Sequence, residues 1–173
     1  MPIVVSVAGR SNSGKTTLLE KLIGELKRRR HRVAAVKHSV HDVDMDQPGK
    51  DSWRLAMAGS DAVVLSSRGK ISLTKKMDEE ASVEQILSLL GDGYDVVLLE
   101  GFKGAKIPKI EVHRKEVGEL VCPPAELMAV VTDEPLDLDI RQFSADQIGL
   151  LADFLEEQFG TRDAVIPCVT RNS

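Results

Sequence analysis

The sequence has few cysteines and no long hydrophobic run. Its two cysteines, Cys122 and Cys168, lie far apart without the spacing of metal ligands, so we expect free thiols. No apolar stretch approaches the roughly 20 residues that a membrane-spanning helix needs. We also expect no signal peptide, because an apolar strand follows Met1 almost directly. These absences predict a cytoplasmic protein with no membrane partner.

Basic residues are not in excess either. Lysine and arginine total 23 against 27 aspartates and glutamates, and the formal net charge is −4. Binding of nucleic acid requires a basic surface, so we expect no nucleic-acid partner. The basic cluster at residues 28–32 closes the first predicted helix, where cations offset the helix dipole; a polyanion-binding patch is the alternative. Repeats and linkers are missing, so the length predicts one domain over residues 1–173.

The most informative stretch runs from Gly9 to Thr16. It matches G-x-x-x-x-G-K-[ST], the phosphate-binding loop of P-loop NTPases. Residues 3–8 before it are apolar and mostly β-branched, which predicts a buried parallel strand. The helical spacing of apolar residues after it predicts an amphipathic helix. Strand, glycine loop and helix stand in the order that the motif requires, so the sequence predicts a nucleoside triphosphate site.

Each residue type in this loop has a physical role. Glycines let the backbone approach a phosphate without an intervening Cβ. Successive N–H groups and the open N-terminus of the helix form a nest of positive partial charge. We expect Lys15 to reach the outer phosphates and the Thr16 hydroxyl to hold Mg²⁺. The predicted nucleotide-binding residues of the loop are Gly9, Asn12, Ser13, Gly14, Lys15, Thr16 and Thr17.

Short apolar strands alternate with amphipathic helices along the rest of the chain. This pattern predicts an α/β P-loop NTPase fold, with three α/β/α layers around a mostly parallel sheet. We expect buried strands near residues 33–36 and 128–131 and further strands near residues 62–65, 71–75 and 95–99, with a turn at Arg68 and Gly69. Helices are expected near residues 51–58, after Ser82, which forms a capping box with Gln85, and after Ser144. Residues 110–113 alternate between apolar and polar, as an edge or half-exposed strand would. Ligands of such sheets bind at the carboxyl ends of the strands.

The strand at residues 95–99 resembles a Walker B strand. Asp95 and Glu100 are about 16 Å apart along an extended chain, so only Glu100 can face the nucleotide. We expect it to hold Mg²⁺ through water or to position an attacking water, which makes it the candidate catalytic residue. A carboxylate that caps a local turn is the alternative.

The loop after the second strand is rich in titratable groups, namely His38, His41, Asp42, Asp44 and Asp46. A calcium loop would require glycine and glutamate where this chain has Gln47 and Trp53. The position suits a switch segment that supplies a carboxylate to Mg²⁺, and Asp44 and Asp46 are the candidates. For the two histidines we expect a surface or hydrogen-bonding role rather than metal ligation.

Thr132 and Asp133 end the strand at residues 128–131, at the same edge of the sheet, and are predicted to contact the nucleotide. An aspartate there can accept two N–H bonds from the edge of guanine, which adenine cannot offer. The Asn-Lys-x-Asp string of many GTPases is missing.

Several longer segments resemble one family, the molybdopterin-guanine dinucleotide biosynthesis adaptor proteins (MobB). The matching segments are residues 9–17, 36–38, 46–52, 58–59, 99–103 and 108–112. The Pro-Gly-Lys-Asp-Ser and Glu-Gly-Phe-Lys blocks among them are more specific than the P-loop, which many families share. The chain departs from the common Walker B pattern in having glutamate for aspartate.

The resemblance implies a GTP-binding, Mg²⁺-dependent homodimer with at most slow GTPase activity. Such proteins assist the guanylyltransferase that joins GMP to molybdopterin. The resemblance also places Lys15, Thr16, Glu100 and the region of Asp44 and Asp46 at the nucleotide.

Four basic residues fit this role. Lys103, Lys106 and Lys109 follow Glu100 and are candidates to meet the phosphate of a pterin substrate, with an ordinary charged loop as the alternative. Arg10, inside the glycine loop, is a candidate to reach the triphosphate of a neighbouring subunit.

Two other functions use related folds. A small-molecule kinase or ATP-driven ligase usually needs lid arginines and a substrate-domain insertion, for which the chain has no spare segment. A metallochaperone GTPase tends to carry a His-rich leader or a clustered Cys/His site, which the sequence lacks. The adaptor function is therefore the one that we expect.

Overall fold

A computed structural model describes residues 2–39 and 47–160 of the chain. The strands are β1 (Ile3–Ala8), β2 (Val33–Lys37), β3 (Ala62–Ser67), β4 (Lys70–Lys75), β5 (Val96–Glu100), β6 (Lys109–Val112), β7 (Leu127–Val131) and β8 (Arg141–Phe143). The α-helices are α1 (Lys15–Arg28), α2 (Asp51–Met57), α3 (Val83–Leu90) and α4 (Ile148–Gly160). The chain divides into two compact units: the first runs up to His38 and resumes at Asp92, and the second runs from Ser39 to Gly91. The single domain expected from the length stays a prediction.

The first unit is built on a six-stranded sheet in the order β2-β5-β1-β6-β7-β8, and every pair in it is parallel. The predicted α/β class with a mostly parallel sheet is confirmed. Because all six strands run the same way, their carboxyl ends share one edge of the sheet. The glycine loop follows β1 at that edge, and Glu100 ends β5 there.

The core of this unit lies between one face of the sheet and helices α1 and α4. Leu18, Leu22 and Leu26 recur along α1 and are buried. Together with Leu151 and Leu155 of α4 they cover the side chains that β1, β5, β6 and β7 direct to this face. Helical spacing predicts this inward face of α1 correctly, because residues three and four apart lie on one side of a helix. The opposite face carries a smaller cluster of Ala8, Cys122, Leu127 and Val130.

The second unit contains α2, α3 and an antiparallel hairpin of β3 and β4. The turn predicted at Arg68 and Gly69 joins the two strands. Ser82 caps α3 through the expected capping box: its hydroxyl accepts the Gln85 N–H, and the Gln85 side chain accepts the Ser82 N–H. Strand β3 pairs only with β4 among the described residues, although its apolar sequence resembles that of a buried strand of the main sheet.

Two expectations about strand position were wrong. Strand β2 is an edge strand with Ala35 exposed, although its apolar sequence predicted burial. Strand β6 is internal and fully buried, although its alternation predicted an edge. The alternation arises because Lys109 and Glu111 are buried polar residues with partners of their own; the Lys109 ammonium pairs with Glu126 at 2.8 Å.

Helix α4 and β8 were also misjudged. The last helix begins at Ile148 and not at Ser144, whose N–H is bonded by the Gln147 side chain in a turn before the helix. Strand β8 was not predicted, because only Phe143 of its three residues is buried and the apolar pattern is weak.

The packing of α1 leads to a first prediction. Leu22 is fully buried, so Leu22→Ala removes core contacts and leaves a cavity, which we expect to lower the free energy of unfolding by about 2–5 kcal/mol. Leu150→Ala is the matched control, since this leucine is 54% exposed and its truncation is expected to cost less than about 0.5 kcal/mol. Urea titrations followed by circular dichroism measure both. Equal costs for the two variants would contradict the assigned core.

Candidate functional site

The loop between β1 and α1 has a backbone that side chains would obstruct. Gly9 has φ +139°, and a Cβ built on it would lie 2.5 Å from the Val112 carbonyl oxygen. Gly14 caps α1 with φ +92°, and Asn12 has φ 63°. This succession of left-handed residues turns the chain so that its N–H groups can face a common centre, as in backbone nests that bind anions. The glycines thus stand where the backbone has positive φ, and phosphate binding by the loop stays a prediction.

Two polar groups of the loop stand out. The hydroxyl of Ser13 is buried and, among the described residues, has no hydrogen-bond partner. The Lys15 ammonium donates to the carbonyl of Arg10 at 2.6 Å and so folds over the loop. A buried hydroxyl without a partner is costly, whereas an acceptor such as a phosphate oxygen would satisfy it.

Glu100 lies beside the start of α1. Its Oε2 accepts a hydrogen bond from the Thr16 hydroxyl at 3.0 Å. Its Oε1 is 3.4 Å from the ammonium of Lys37, and only 13% of its side chain is exposed. Asp95, at the opposite end of the strand, accepts the N–H of Arg32 instead. Because an extended strand holds these two carboxylates far apart, only Glu100 can lie beside the glycine loop.

Lys37 is a site residue that sequence reasoning missed. It is the last residue of β2 and stands in register with Glu100 across the β2–β5 pair. The available signal was its position at the carboxyl end of a strand, inside the segment Val36-Lys37-His38 that was already noted. The pairing of β2 with β5 was not foreseeable, because the two strands are far apart in sequence.

The lysines of the site are close enough to affect one another. Burial lowers the pKa of Lys15 from its ordinary value, and the carboxylate of Glu100 opposes that change. The ammonium groups of Lys103 and Lys37 lower the pKa further. The site is thus a concentration of positive charge around one carboxylate, which favours a polyanionic ligand.

The oxygen atoms near Thr16 suit a magnesium ion. Magnesium is typically held by one or two protein oxygens together with water and substrate phosphates. The Thr16 hydroxyl and the Glu100 carboxylate supply such oxygens 3.0 Å apart. Within residues 2–39 and 47–160, no group of three or more His, Cys, Asp or Glu side chains could hold a metal. Asp44 and Asp46, the other predicted ligands, lie outside the described residues.

With this geometry in hand, the chain can be compared with known proteins. The family model for molybdopterin guanine dinucleotide synthesis protein B, MobB, matches residues 4–133. This chain belongs to the MobB family. A molybdopterin-guanine dinucleotide biosynthesis adapter protein from Haemophilus influenzae is 39% identical over 155 residues, covering 88% of this chain and 87% of the relative. The protein of the same description from Escherichia coli is 39% identical over 161 residues, covering 89% and 91%.

The fold agrees with the sequence match. A crystal structure described as molybdopterin-guanine biosynthesis protein B superposes with a TM-score of 0.72 and 30% identity. The match covers 91% of this chain and 99% of that structure. The MobB resemblance drawn from the sequence is therefore confirmed. Among the described residues, none of the helices combines the length and apolar character that crossing a lipid bilayer requires.

The three lysines proposed to meet a substrate phosphate differ in how exposed they are in this MobB-family chain. Lys103 and Lys106 are exposed, and Lys103 is near enough to Lys15 to lower its pKa. Lys109 is a correction: it is only 2% exposed and donates to the Ala105 carbonyl as well as to Glu126. Because its ammonium is buried and bonded to these two groups, it cannot meet a substrate at the surface.

The side chains of Thr132 and Asp133 are engaged with the protein. The Thr132 hydroxyl donates to the Glu134 carbonyl at 2.7 Å and accepts the Glu134 N–H. The Asp133 carboxylate accepts the Lys115 N–H at 3.0 Å and lies 4.0 Å from the Arg114 guanidinium. Thr132 thus positions Glu134, and contact of either residue with a nucleotide stays a prediction.

The segment after β6 contacts the glycine loop. Arg10 donates through Nε to the Glu119 carbonyl at 2.9 Å, so this nitrogen is used within its own chain. Glu111, buried in β6, accepts the N–H groups of Val121 and Cys122 at 2.7 and 2.9 Å. Burial raises the pKa of the Cys122 thiol to about 11, so it is inert at neutral pH. The buried carboxylate holds this segment in place.

His38 has a packing role. The centroids of its ring and of the Phe102 ring are 4.9 Å apart, and the two rings are tilted by 42°. Phe102 adopts φ 52° directly after Gly101 at φ 99°. The side chain therefore packs beside the loop after β5. The surface or hydrogen-bonding role expected for it stays a prediction, and His41 lies outside the described residues.

The contact of Gly9 with Val112 allows a test of the loop. We expect Gly9→Ala to lower the free energy of unfolding by about 1–3 kcal/mol, because the new Cβ meets the Val112 carbonyl and φ +139° is strained for alanine. Gly24→Ala is the control: Gly24 lies in α1 with open space around it, so alanine is expected to stabilise by about 0.5–1 kcal/mol. Thermal and urea unfolding measure both. An unchanged midpoint for the Gly9 variant would contradict the loop geometry.

Proposed function

We propose that this protein is a GTP-binding, Mg²⁺-dependent adaptor that assists the guanylyltransferase joining GMP to molybdopterin. The observation that carries the proposal is the convergence, at the carboxyl ends of β1, β2 and β5, of the glycine loop with Lys15, Lys37 and the Thr16–Glu100 pair. Membership of the MobB family supports the biosynthetic role, since its relatives are described as adapters of molybdopterin-guanine dinucleotide biosynthesis. Membership of this family favours the adaptor over the kinase, ligase and metallochaperone alternatives.

The residues of the loop have defined tasks in this proposal. The N–H groups between Gly9 and Thr17 and the Ser13 hydroxyl bind phosphate oxygens. Lys15 and Lys37 neutralise the outer phosphates, and Lys37, which has three N–H donors, keeps its ion pair with Glu100. Thr16 and Glu100 would hold Mg²⁺, which would offset the negative charge of the phosphates. Asp44 or Asp46 supplies a further oxygen to the metal.

Slow hydrolysis fits the state of Glu100. A carboxylate that positions an attacking water must have a free lone pair directed at that water. Here one carboxylate oxygen accepts from the Thr16 hydroxyl and the other lies 3.4 Å from the Lys37 ammonium, and a bound Mg²⁺ would take a further lone pair. We therefore propose that Glu100 is mainly a metal-holding residue and that intrinsic turnover is slow, so the protein works through its partner enzyme, with Lys103 and Lys106 available to a pterin phosphate.

The homodimer is supported by apolar side chains on the hairpin. Val64, Ile71 and Leu73 lie on one face of it and are 60, 73 and 45% exposed. Exposed apolar groups of this size at neighbouring positions are typical of protein interfaces. We propose that a second copy of this chain covers them, in a protein that functions in the cytoplasm.

Nucleotide binding is the first test. Equilibrium dialysis with Mg²⁺ should show that the protein retains GTP, that Lys15→Ala abolishes retention, and that Lys37→Ala weakens it by about 10- to 100-fold, the loss expected for one charge-assisted hydrogen bond. Lys21→Ala is the control, since this lysine lies on the solvent side of α1 beside Asp146. If Lys37→Ala behaves like the control, Lys37 has no phosphate role; if the wild type retains no GTP, the proposed function fails.

The adaptor role needs a separate measurement. We expect purified protein to hydrolyse GTP slowly on its own and to co-purify with a molybdopterin guanylyltransferase. Turnover of many molecules of GTP per minute without that enzyme would favour an independent enzyme instead.

Sedimentation velocity tests the dimer. We expect the wild type to sediment as a dimer and the double variant Val64→Glu/Ile71→Glu as a monomer, because two charges cannot be buried in an apolar contact. Ser72→Glu, on the opposite face of the same hairpin, is the control and should leave the dimer intact. A monomeric wild type would refute the interface.

A further inference from the structure

The arginine that follows β6, Arg114, lies against the glycine loop. A Cβ built on Gly14 would lie 3.8 Å from a terminal guanidinium nitrogen of Arg114, which is an ordinary contact distance. Both residues belong to the first compact unit. Gly14 caps α1, so the guanidinium stands beside the first N–H groups of that helix. No prediction from the sequence includes this arginine.

The backbone on either side of Arg114 is fixed to the end of β7. The N–H of His113 donates to the Val131 carbonyl at 2.8 Å. The N–H of Lys115 donates to the Asp133 carboxylate at 3.0 Å. The side chain of Arg114 therefore starts from a defined position at the edge of the loop.

The guanidinium of Arg114 is largely buried but weakly paired. Only 27% of the side chain is exposed, and it faces the Asp133 carboxylate at 4.0 Å, beyond hydrogen-bond distance. Among residues 2–39 and 47–160, none accepts a hydrogen bond from its nitrogens. A guanidinium has five N–H donors, and taking them from water without acceptors costs free energy. An anion beside Gly14 would supply the missing acceptors.

Other cations near this side of the loop have partners within the protein. Arg10 donates through Nε to a backbone carbonyl at 2.9 Å. Lys109 is buried and bonded to a carbonyl and a carboxylate. Lys115 is 77% exposed and lies 3.7 Å from Glu134. Of these four described cations, Arg114 is the one whose charged group forms neither a hydrogen bond nor a closer ion pair.

The order of the strands decides which part of a nucleotide Arg114 faces. Strand β1, which leads into the loop, has β5 on one side and β6 on the other. Lys37 and Glu100 end β2 and β5, so the proposed function puts the outer phosphates and Mg²⁺ on that side. Arg114 lies on the opposite side of β1, after β6. A phosphate that meets both the N-terminus of α1 and Arg114 is therefore the one that carries the nucleoside.

We propose that Arg114 binds the innermost, nucleoside-bearing phosphate of the nucleotide. This inference rests on the proposed function, because it requires the outer phosphates to lie beside Lys15 and Lys37. The planar fork of arginine donates two N–H groups to two oxygens of one phosphate, a geometry that lysine lacks. The same phosphate accepts the first N–H groups of α1. Arg114 thereby fixes which end of the triphosphate faces Glu100.

A comparison of GTP with GDP tests the assignment. The innermost phosphate is common to both, so Arg114→Ala should lower the affinity for GTP and for GDP by the same factor, about 10- to 100-fold, as expected for a lost charge-assisted contact. Equilibrium dialysis with Mg²⁺ measures both affinities. Arg28→Ala is the matched control, since this arginine is 72% exposed at the other end of α1 and its loss should change neither. A loss confined to GTP, or equal behaviour of the two variants, would overturn the assignment.

Sulfur substitution separates phosphate contact from a purely structural role of Arg114. The α-thio analogue of GTP carries sulfur, a weaker acceptor, in place of one oxygen of the innermost phosphate, and it exists as two isomers. We expect the wild type to bind one isomer about 3- to 10-fold more weakly than GTP, and Arg114→Ala to show no such penalty for that isomer. A penalty that is equal in the two proteins, or missing from the wild type, would show that Arg114 does not bind this phosphate.

Arg114→Lys keeps the charge and loses the fork. We expect its affinity for GTP to lie between those of the wild type and Arg114→Ala, and it carries the same measurements if urea titration shows that the alanine variant does not fold. If the wild type retains GTP and the Arg114 variants bind it equally well, only this inference fails. If the wild type retains neither GTP nor GDP, the proposed function fails as well.

Discussion

The structure depends on the close approach of the glycine loop to β6. A Cβ at Gly9 would come within 2.5 Å of the Val112 carbonyl, so the loop can return over the end of β6 only because the side chain there is a hydrogen atom. This contact fixes how closely the loop approaches the end of β6. The Thr16–Glu100 contact and the position of Lys37 then follow from the parallel pairing of β1 and β2 with β5.

Strand β6 stabilises the structure through the side chains on both of its faces. On one face, Ile110 and Val112 pack into the core beneath α1 and α4. On the other, Glu111 accepts hydrogen bonds from two backbone N–H groups of the segment after β6, and Lys109 is paired with Glu126. Buried charged groups are tolerated there because each has hydrogen-bond partners. The polar face of β6 is therefore a structural support and not an exposed surface.

Features that depend on residues close in sequence were predicted well. Features that depend on the pairing of distant segments were not. The glycine loop, the inward face of α1 and the Ser82 cap were predictable, because each depends on residues within a few positions of one another. The internal place of β6, the partners of Lys109 and the pairing of Lys37 with Glu100 were not, because each depends on a strand or segment distant in sequence. Family resemblance added the biological role, which periodicity and spacing alone do not contain.

The strand order has a consequence for how the chain folds. Strand β1 pairs with β5 and β6 and with no earlier element, so Ile3 contacts Val96 and Ser6 contacts Lys109. During synthesis, the amino-terminal strand must wait until more than half of the polypeptide has left the ribosome before either neighbour exists. Contacts this remote in sequence slow folding, since the intervening chain must be closed into a loop first. An apolar strand left unpaired for that long is where a nascent chain is most exposed to aggregation.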